Sequence, residues 1–162
     1  MIYVTVGTHH QRFDRLICAL GPLAELDELV VQHGPAPAPR EAHVAVSFVS
    51  PSAAAAYVER ARAVVMHAGV GSFLVAWRAG HVPVLVPRLR RYGEHVDDHQ
   101  AKLAQALKLA GEAIVVWDVA RLGDGVRAVP PRRPRHELSP RALHAAVRRA
   151  LDGEGLELLV SR

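Results

Sequence analysis

The segment His67-Ala68-Gly69-Val70-Gly71-Ser72 follows the apolar run Ala63 to Met66 and precedes apolar residues at helical spacing from Phe73 onward. A strand, a glycine turn and a helix in that order present unpaired backbone N–H groups and the positive end of a helix dipole at the turn. Gly69 and Gly71 let the backbone approach an anion with no Cβ in the way. Ser72 adds a hydroxyl donor, and His67, at the strand end, adds an imidazole. Together they describe a cradle for a diphosphate, although a Gly-x-Gly after a strand serves equally as a tight turn needed for packing.

Two other clusters carry polar chemistry. Gly7-Thr8-His9-His10-Gln11 follows the first strand, so a parallel sheet places it on the same rim as the cradle. In Glu94-His95-Val96-Asp97-Asp98-His99-Gln100, His95 and His99 are four apart, a spacing that puts two imidazoles on one helix face as metal ligands. Helix capping explains Asp97 and Asp98 better, and zinc needs a third ligand from elsewhere, so no metal site is expected. No G-x-x-x-x-G-K-[ST] run is present, and the first strand lacks G-x-G-x-x-G after it, which disfavours P-loop hydrolysis and an ordinary nicotinamide site.

The elements that must hold these residues alternate strand and helix, which predicts an α/β fold with a parallel sheet. Strands are expected at Ile2 to Val6, Leu29 to Gln32, Val44 to Val49, Ala63 to Met66, Val82 to Val86 and Ala113 to Trp117. Helices are expected over Phe13 to Leu26, Ser52 to Arg62, Phe73 to Ala79, from Asp97 or Asp98 to Ala110, and Ser139 to Leu151, with a short one after Asp118. Three prolines between Gly34 and Pro39 force a loop, and Pro130 to Pro134 reads as a surface connection.

The 162 residues are half hydrophobic, enough to bury the core of one domain over 1–162. No apolar run reaches the roughly 18 residues of a membrane span, the N-terminus lacks the pattern of a signal peptide, and Cys18 is the only cysteine, so a cytoplasmic protein is expected. The net charge of +4 rests almost wholly on arginine, much of it between Arg127 and Arg149. A solvated Arg-rich surface is the expectation there, with no nucleic-acid partner, since aromatic residues make up 5% of the chain and stacking platforms are scarce.

HAGVGS, the strand ending Val86-Pro87-Arg88, and Gly93-Glu94-His95-Val96-Asp97-Asp98-His99-Gln100 resemble the C-terminal domain of family 28, MurG-type glycosyltransferases. The opening Val4-Thr5-Val6-Gly7-Thr8-His9-His10-Gln11-Arg12-Phe13-Asp14 is similar to small stand-alone subunits of bacterial exopolysaccharide glycosyltransferases. These are kin to the soluble subunit of the bipartite UDP-N-acetylglucosamine transferase of dolichol-linked glycan synthesis. The resemblance covers roughly Met1 to Trp117. It implies a Rossmann-like half of a GT-B enzyme that holds a UDP-sugar. Gly7, Thr8, His67, Gly69, Val70, Gly71, Ser72 and Arg88 would then face the diphosphate. Phe48, Val49, Glu94, His95, Asp98, His99 and Gln100 would face the nucleoside or sugar. Where many relatives carry a glutamate for the ribose hydroxyls, three residues after the cradle serine, this chain has Val75.

Transfer also needs a base for the acceptor hydroxyl, for which His9 and His10 are the candidates. With Arg88 as cationic helper, no metal or other cofactor is called for. The acceptor half is missing from so short a chain, which implies a second, membrane-associated subunit that binds the acceptor, a lipid-linked or polysaccharide chain receiving a hexose. Membrane contact is then expected only through that partner, at the inner face. The alternative is a module that binds a nucleotide or nucleotide-sugar without turnover.

Overall fold

Every strand of the sheet is parallel to its neighbours, as short β-branched runs separated by helices require. The computed structural model describes residues 1–134 and 139–152. The expected domain over 1–162 extends past them, and Arg135 of the basic tail lies outside them.

In chain order the elements are β1 (Ile2–Thr5), α1 (Asp14–Ile17), α2 (Gly21–Ala24), β2 (Leu29–Gln32), β3 (Val44–Val46), α3 (Pro51–Arg60), β4 (Ala63–Met66), α4 (Val70–Arg78), β5 (Val84–Leu85), α5 (His99–Leu109), β6 (Ile114–Val115), α6 (Leu122–Arg127) and α7 (Pro140–Asp152). The spatial order β3-β2-β1-β4-β5-β6 makes a six-stranded sheet with helices on both faces, a Rossmann-like arrangement.

Alternation along β1 sorts the core. Ile2 and Val4 face Leu16, Leu23, Val31 and Val126 on one side, and Tyr3 faces Val58, Met66, Phe73 and Leu107 on the other. α3 begins where the sequence predicts, with the Ser50 hydroxyl accepting from the Ala53 amide (3.2 Å) and Pro51 in the first turn.

One element differs. The single helix expected over Phe13 to Leu26 is two short helices, because Pro22 supplies no amide and its ring obstructs the preceding turn; it is tolerated only where α2 starts afresh. The outer strands β3, β5 and β6 are also shorter than expected, although Val86 N–H still donates to Met66 O (2.9 Å) beyond the end of β5.

Candidate active site

The sheet is wound outward in both directions from the β1–β4 pair. Ligands of open parallel sheets bind beyond the carboxyl ends of strands at such a reversal. A cavity of about 400 Å³ lies there, floored by β1 and β4 and walled by α3 and α4.

The cradle at its mouth is assembled from both strands. His67 N–H donates to Thr5 O (3.2 Å), which ties the end of β4 to β1. Gly69 then caps α4 in extended conformation with no side-chain cap, so the first amides of α4 have no intrahelical acceptor and the helix dipole stands open. Ser72, Gly69 and Gly71 all line the cavity. A Cβ on Gly71 would meet nothing within 4 Å, so the space before that amide is free.

His67 is fixed by two glycines. A Cβ on Gly7 would come within 2.4 Å of its Cε1, and one on Gly69 within 2.2 Å of its Nε2. Gly7 has φ +77°, a conformation that glycine adopts at no steric cost. The imidazole is therefore clamped between the β1 and β4 loops, with Nδ1 buried and lacking a well-formed hydrogen bond among the described residues. Burial chiefly, and then the nearby Arg88 guanidinium, hold its pKa down at about 4 against a weaker opposite pull from Thr5, so the ring is neutral at pH 7.

The rim beyond Gly7 gathers imidazoles. The His9 ring stacks on His10 at 4.5 Å between centroids and meets His95 at 5.0 Å. Partial burial, followed by the neighbouring His10, His95 and Arg88, lowers the His9 pKa below its ordinary value. Asp97 bridges His95 Nδ1 (3.0 Å) and His99 Nδ1 (2.8 Å). Among the described residues no group of three or more His, Cys, Asp or Glu side chains could hold a metal ion.

Gly7, Thr8, Val49, His67, Gly69, Gly71 and Ser72 thus converge on one cavity. Val70 contributes its amide position rather than its side chain, which is 48% exposed. Phe48 does not line the cavity and stands 53% exposed beside it.

Several expected contacts are corrected. Arg88 is 0% exposed, and its guanidinium donates to the carbonyls of Val6 (3.0 Å), Gln11 (3.0 Å), Arg12 (3.2 Å) and Glu94 (3.1 Å) while lying over Phe13. It braces the rim from behind and does not face the diphosphate. Glu94 is buried in a two-oxygen pair with Arg15 (2.8 and 2.9 Å) and accepts from Leu89 N–H, which leaves it no part in sugar binding. Gln100 Oε1 accepts from both Ala68 N–H and Arg88 N–H (3.1 Å each), joining the ends of β4 and β5 and so positioning the cradle. Asp98 likewise accepts from Arg90 N–H (3.0 Å), and neither it, His95 nor His99 lines the cavity.

The sequence reading missed the cavity floor. Thr5 Oγ1 donates to Gln32 Oε1 and accepts from Gly7 N–H, and Gln32 Nε2 donates to Gly7 O and Ser47 O (2.9 Å each). A polar residue closing each of two apolar strands was the available signal. The Tyr3 hydroxyl, also on the floor, is buried without a well-formed hydrogen bond among the described residues.

Known proteins locate this arrangement. The family model of the glycosyltransferase family 28 C-terminal domain matches residues 1–150. Among solved structures, the glycotransferase of kitacinnamycin is similar at 21% identity with a TM-score of 0.54, covering 96% of this chain and 40% of that one. The glycosyltransferase SnogD from Streptomyces nogalater is similar at 23% identity (TM-score 0.49, 93% and 36% covered). CalG4, the calicheamicin glycosyltransferase, is similar at 18% (TM-score 0.49, 93% and 38% covered). The chain spans less than half the length of each. No curated protein matches it.

Proposed function

From the premise that the chain belongs to the glycosyltransferase family 28 C-terminal domain family, its sheet being one Rossmann-like half of the GT-B architecture, we propose that it is the donor half of a sugar transferase. Its cavity takes a UDP-sugar, and a second, membrane-associated subunit supplies the acceptor site. The observation that carries this is the open N-terminus of α4 over a cavity at the β1–β4 reversal, with His67 clamped so that the amides stay exposed.

The leaving diphosphate gathers negative charge as the glycosidic bond breaks, and the α4 amides and Ser72 hydroxyl stabilise it from positions already fixed. His9, held neutral, takes the proton of the acceptor hydroxyl, with His10 and His95 packed against it. The product is a hexose joined to a lipid-linked or polysaccharide acceptor. The chain works on the cytoplasmic side, and its membrane contact runs through the partner; among the described residues no helix is long and apolar enough to cross a membrane.

Calorimetric titration of UDP, UMP, ADP and GDP tests this. UDP should bind most tightly, and Gly71→Trp, which fills the free space before the cradle, should abolish binding. Equal affinity for all four, or full binding by the variant, would refute it.

A further inference from the structure

Two polar atoms in the cavity lining are buried without a well-formed hydrogen bond among the described residues, His67 Nδ1 and the Tyr3 hydroxyl. The first belongs to the ring clamped between Gly7 and Gly69 beside the cradle. The second sits on a ring that the fold holds firmly. Tyr3 is 1% exposed, stacks on Tyr57 of α3 (5.3 Å between centroids) and packs among Val58 and Met66. Those contacts fix the ring and leave its hydroxyl unspent. Buried hydroxyls of folded proteins are nearly always paired, with protein, water or a ligand.

Tyr3 and Thr5 share one face of β1, and the Thr5 side chain is close enough to draw the Tyr3 pKa back against the burial that pushes it up to about 12. The phenol therefore keeps its proton and can donate at neutral pH. Thr5 ends β1, its carbonyl accepts from His67 N–H (3.2 Å), and Gly69 caps α4 two residues further on. The unit of a nucleotide next to its diphosphate is the ribose, so a nucleotide seated in the cradle brings its ribose hydroxyls to the level of Thr5 before its base. The neighbouring polar groups of the floor are engaged: Thr5 Oγ1 donates to Gln32 Oε1 and accepts from Gly7 N–H, and Gln32 Nε2 donates to Gly7 O and Ser47 O. The walls here are Pro51, Ala54 and Val58 on α3 and Val75 on α4.

We propose that Tyr3 determines specificity for the ribose: its hydroxyl hydrogen-bonds a ribose hydroxyl of the bound nucleotide, and the site prefers ribonucleotide donors to those lacking the 2′- and 3′-hydroxyls. The inference rests on the nucleotide-sugar reading above and names how that donor is recognised. A site that hydrogen-bonds a substrate hydroxyl rejects the analogue lacking it, because the group that should meet it is left buried and unpaired.

The test is competition between UDP and 2′,3′-dideoxy-UDP for the full chain, followed by saturation-transfer NMR, which registers ligands up to millimolar Kd. The wild-type chain should bind UDP about tenfold more tightly than the dideoxy analogue. Tyr3→Phe should bring that ratio to within about threefold of one, chiefly by weakening UDP. The free variant should unfold at the wild-type temperature or above it, since the hydroxyl removed leaves no partner behind in the fold. A wild-type ratio near one, or a tenfold preference that survives Tyr3→Phe, would overturn the inference and leave the donor-site reading standing. So would equal weakening of both nucleotides by Tyr3→Phe, which puts the hydroxyl on the base, or a lower unfolding temperature of the free variant, which gives it a partner within the fold. Binding of neither nucleotide by the wild-type chain would overturn the donor-site reading and this inference with it.

Discussion

Gly69→Ala isolates the clamp on His67. Gly69 has φ −93° and ψ 130°, which alanine adopts freely, so backbone strain does not enter. The added Cβ would stand 2.2 Å from His67 Nε2 and 2.9 Å from Cδ2, well inside contact distance, and Gly7 closes the other side of the ring. The imidazole must leave its position or the β4–α4 turn must open. Overpacking of this kind costs about 1–3 kcal/mol. At a urea dependence of about 2 kcal/mol per molar, the unfolding midpoint should fall by roughly 0.5–1.5 M. A double-mutant cycle assigns the cause. In a His67→Ala background the new methyl has room, and Gly69→Ala should cost less than about 0.5 kcal/mol, giving a coupling of at least about 0.5 kcal/mol. Equal cost in the two backgrounds would refute the clamp and with it the account of why the cradle amides stay exposed.

Gly71→Ala should behave in the opposite way: its Cβ meets nothing, and alanine in place of glycine at the start of α4 favours the helix by up to about 1 kcal/mol, so thermal unfolding should hold or rise while UDP affinity falls. Arg88→Met should lower the unfolding free energy by about 3–5 kcal/mol, because four carbonyls lose their donor; denaturant titration reads this, and a variant of unchanged stability that only lost nucleotide affinity would contradict the bracing role. The pH dependence follows from His67. Its folded pKa, about 4, lies below the ordinary 6.5, so the unfolded chain binds the extra proton and stability drops as pH falls from 6.5 through about 4, by up to about 3 kcal/mol; unfolding curves of His67→Gln should show a flatter slope over that window.

The parallel sheet was legible because its signal is local. Runs such as Leu29 to Gln32 and Ala63 to Met66 are short, apolar and bounded by breakers, and they form β2 and β4 at the expected residues. The break after α1 was also written locally, in Gly21-Pro22, but the apolar spacing from Phe13 to Leu26 masked it. Arg88 and Glu94 were misread for a different reason. An arginine after a strand and a glutamate before a helix look the same in sequence whether they face a ligand or a buried frame. Only contacts such as Arg88 to Val6 O, across 82 positions of chain, decide between them.

That outcome bears on what the family pattern preserves in this chain. The residues with the most conspicuous side chains, Arg88, Glu94 and Gln100, are spent on carbonyls, an arginine and amides, and they hold the ends of β1, β4 and β5 at one level. The groups left to meet a diphosphate are the Ser72 hydroxyl and backbone amides, which every sequence has. What this sequence specifies at the cradle is therefore space: Gly7 and Gly69 admit the His67 ring, Gly71 keeps the entrance open, and Val75 sets the character of the wall beyond. A substitution that adds volume at Gly69 should act through the frame and one at Gly71 through the ligand, although the two residues are two positions apart in the same turn. Separate measurement of stability and affinity on that pair distinguishes positioning from binding more cleanly than any change to the charged residues.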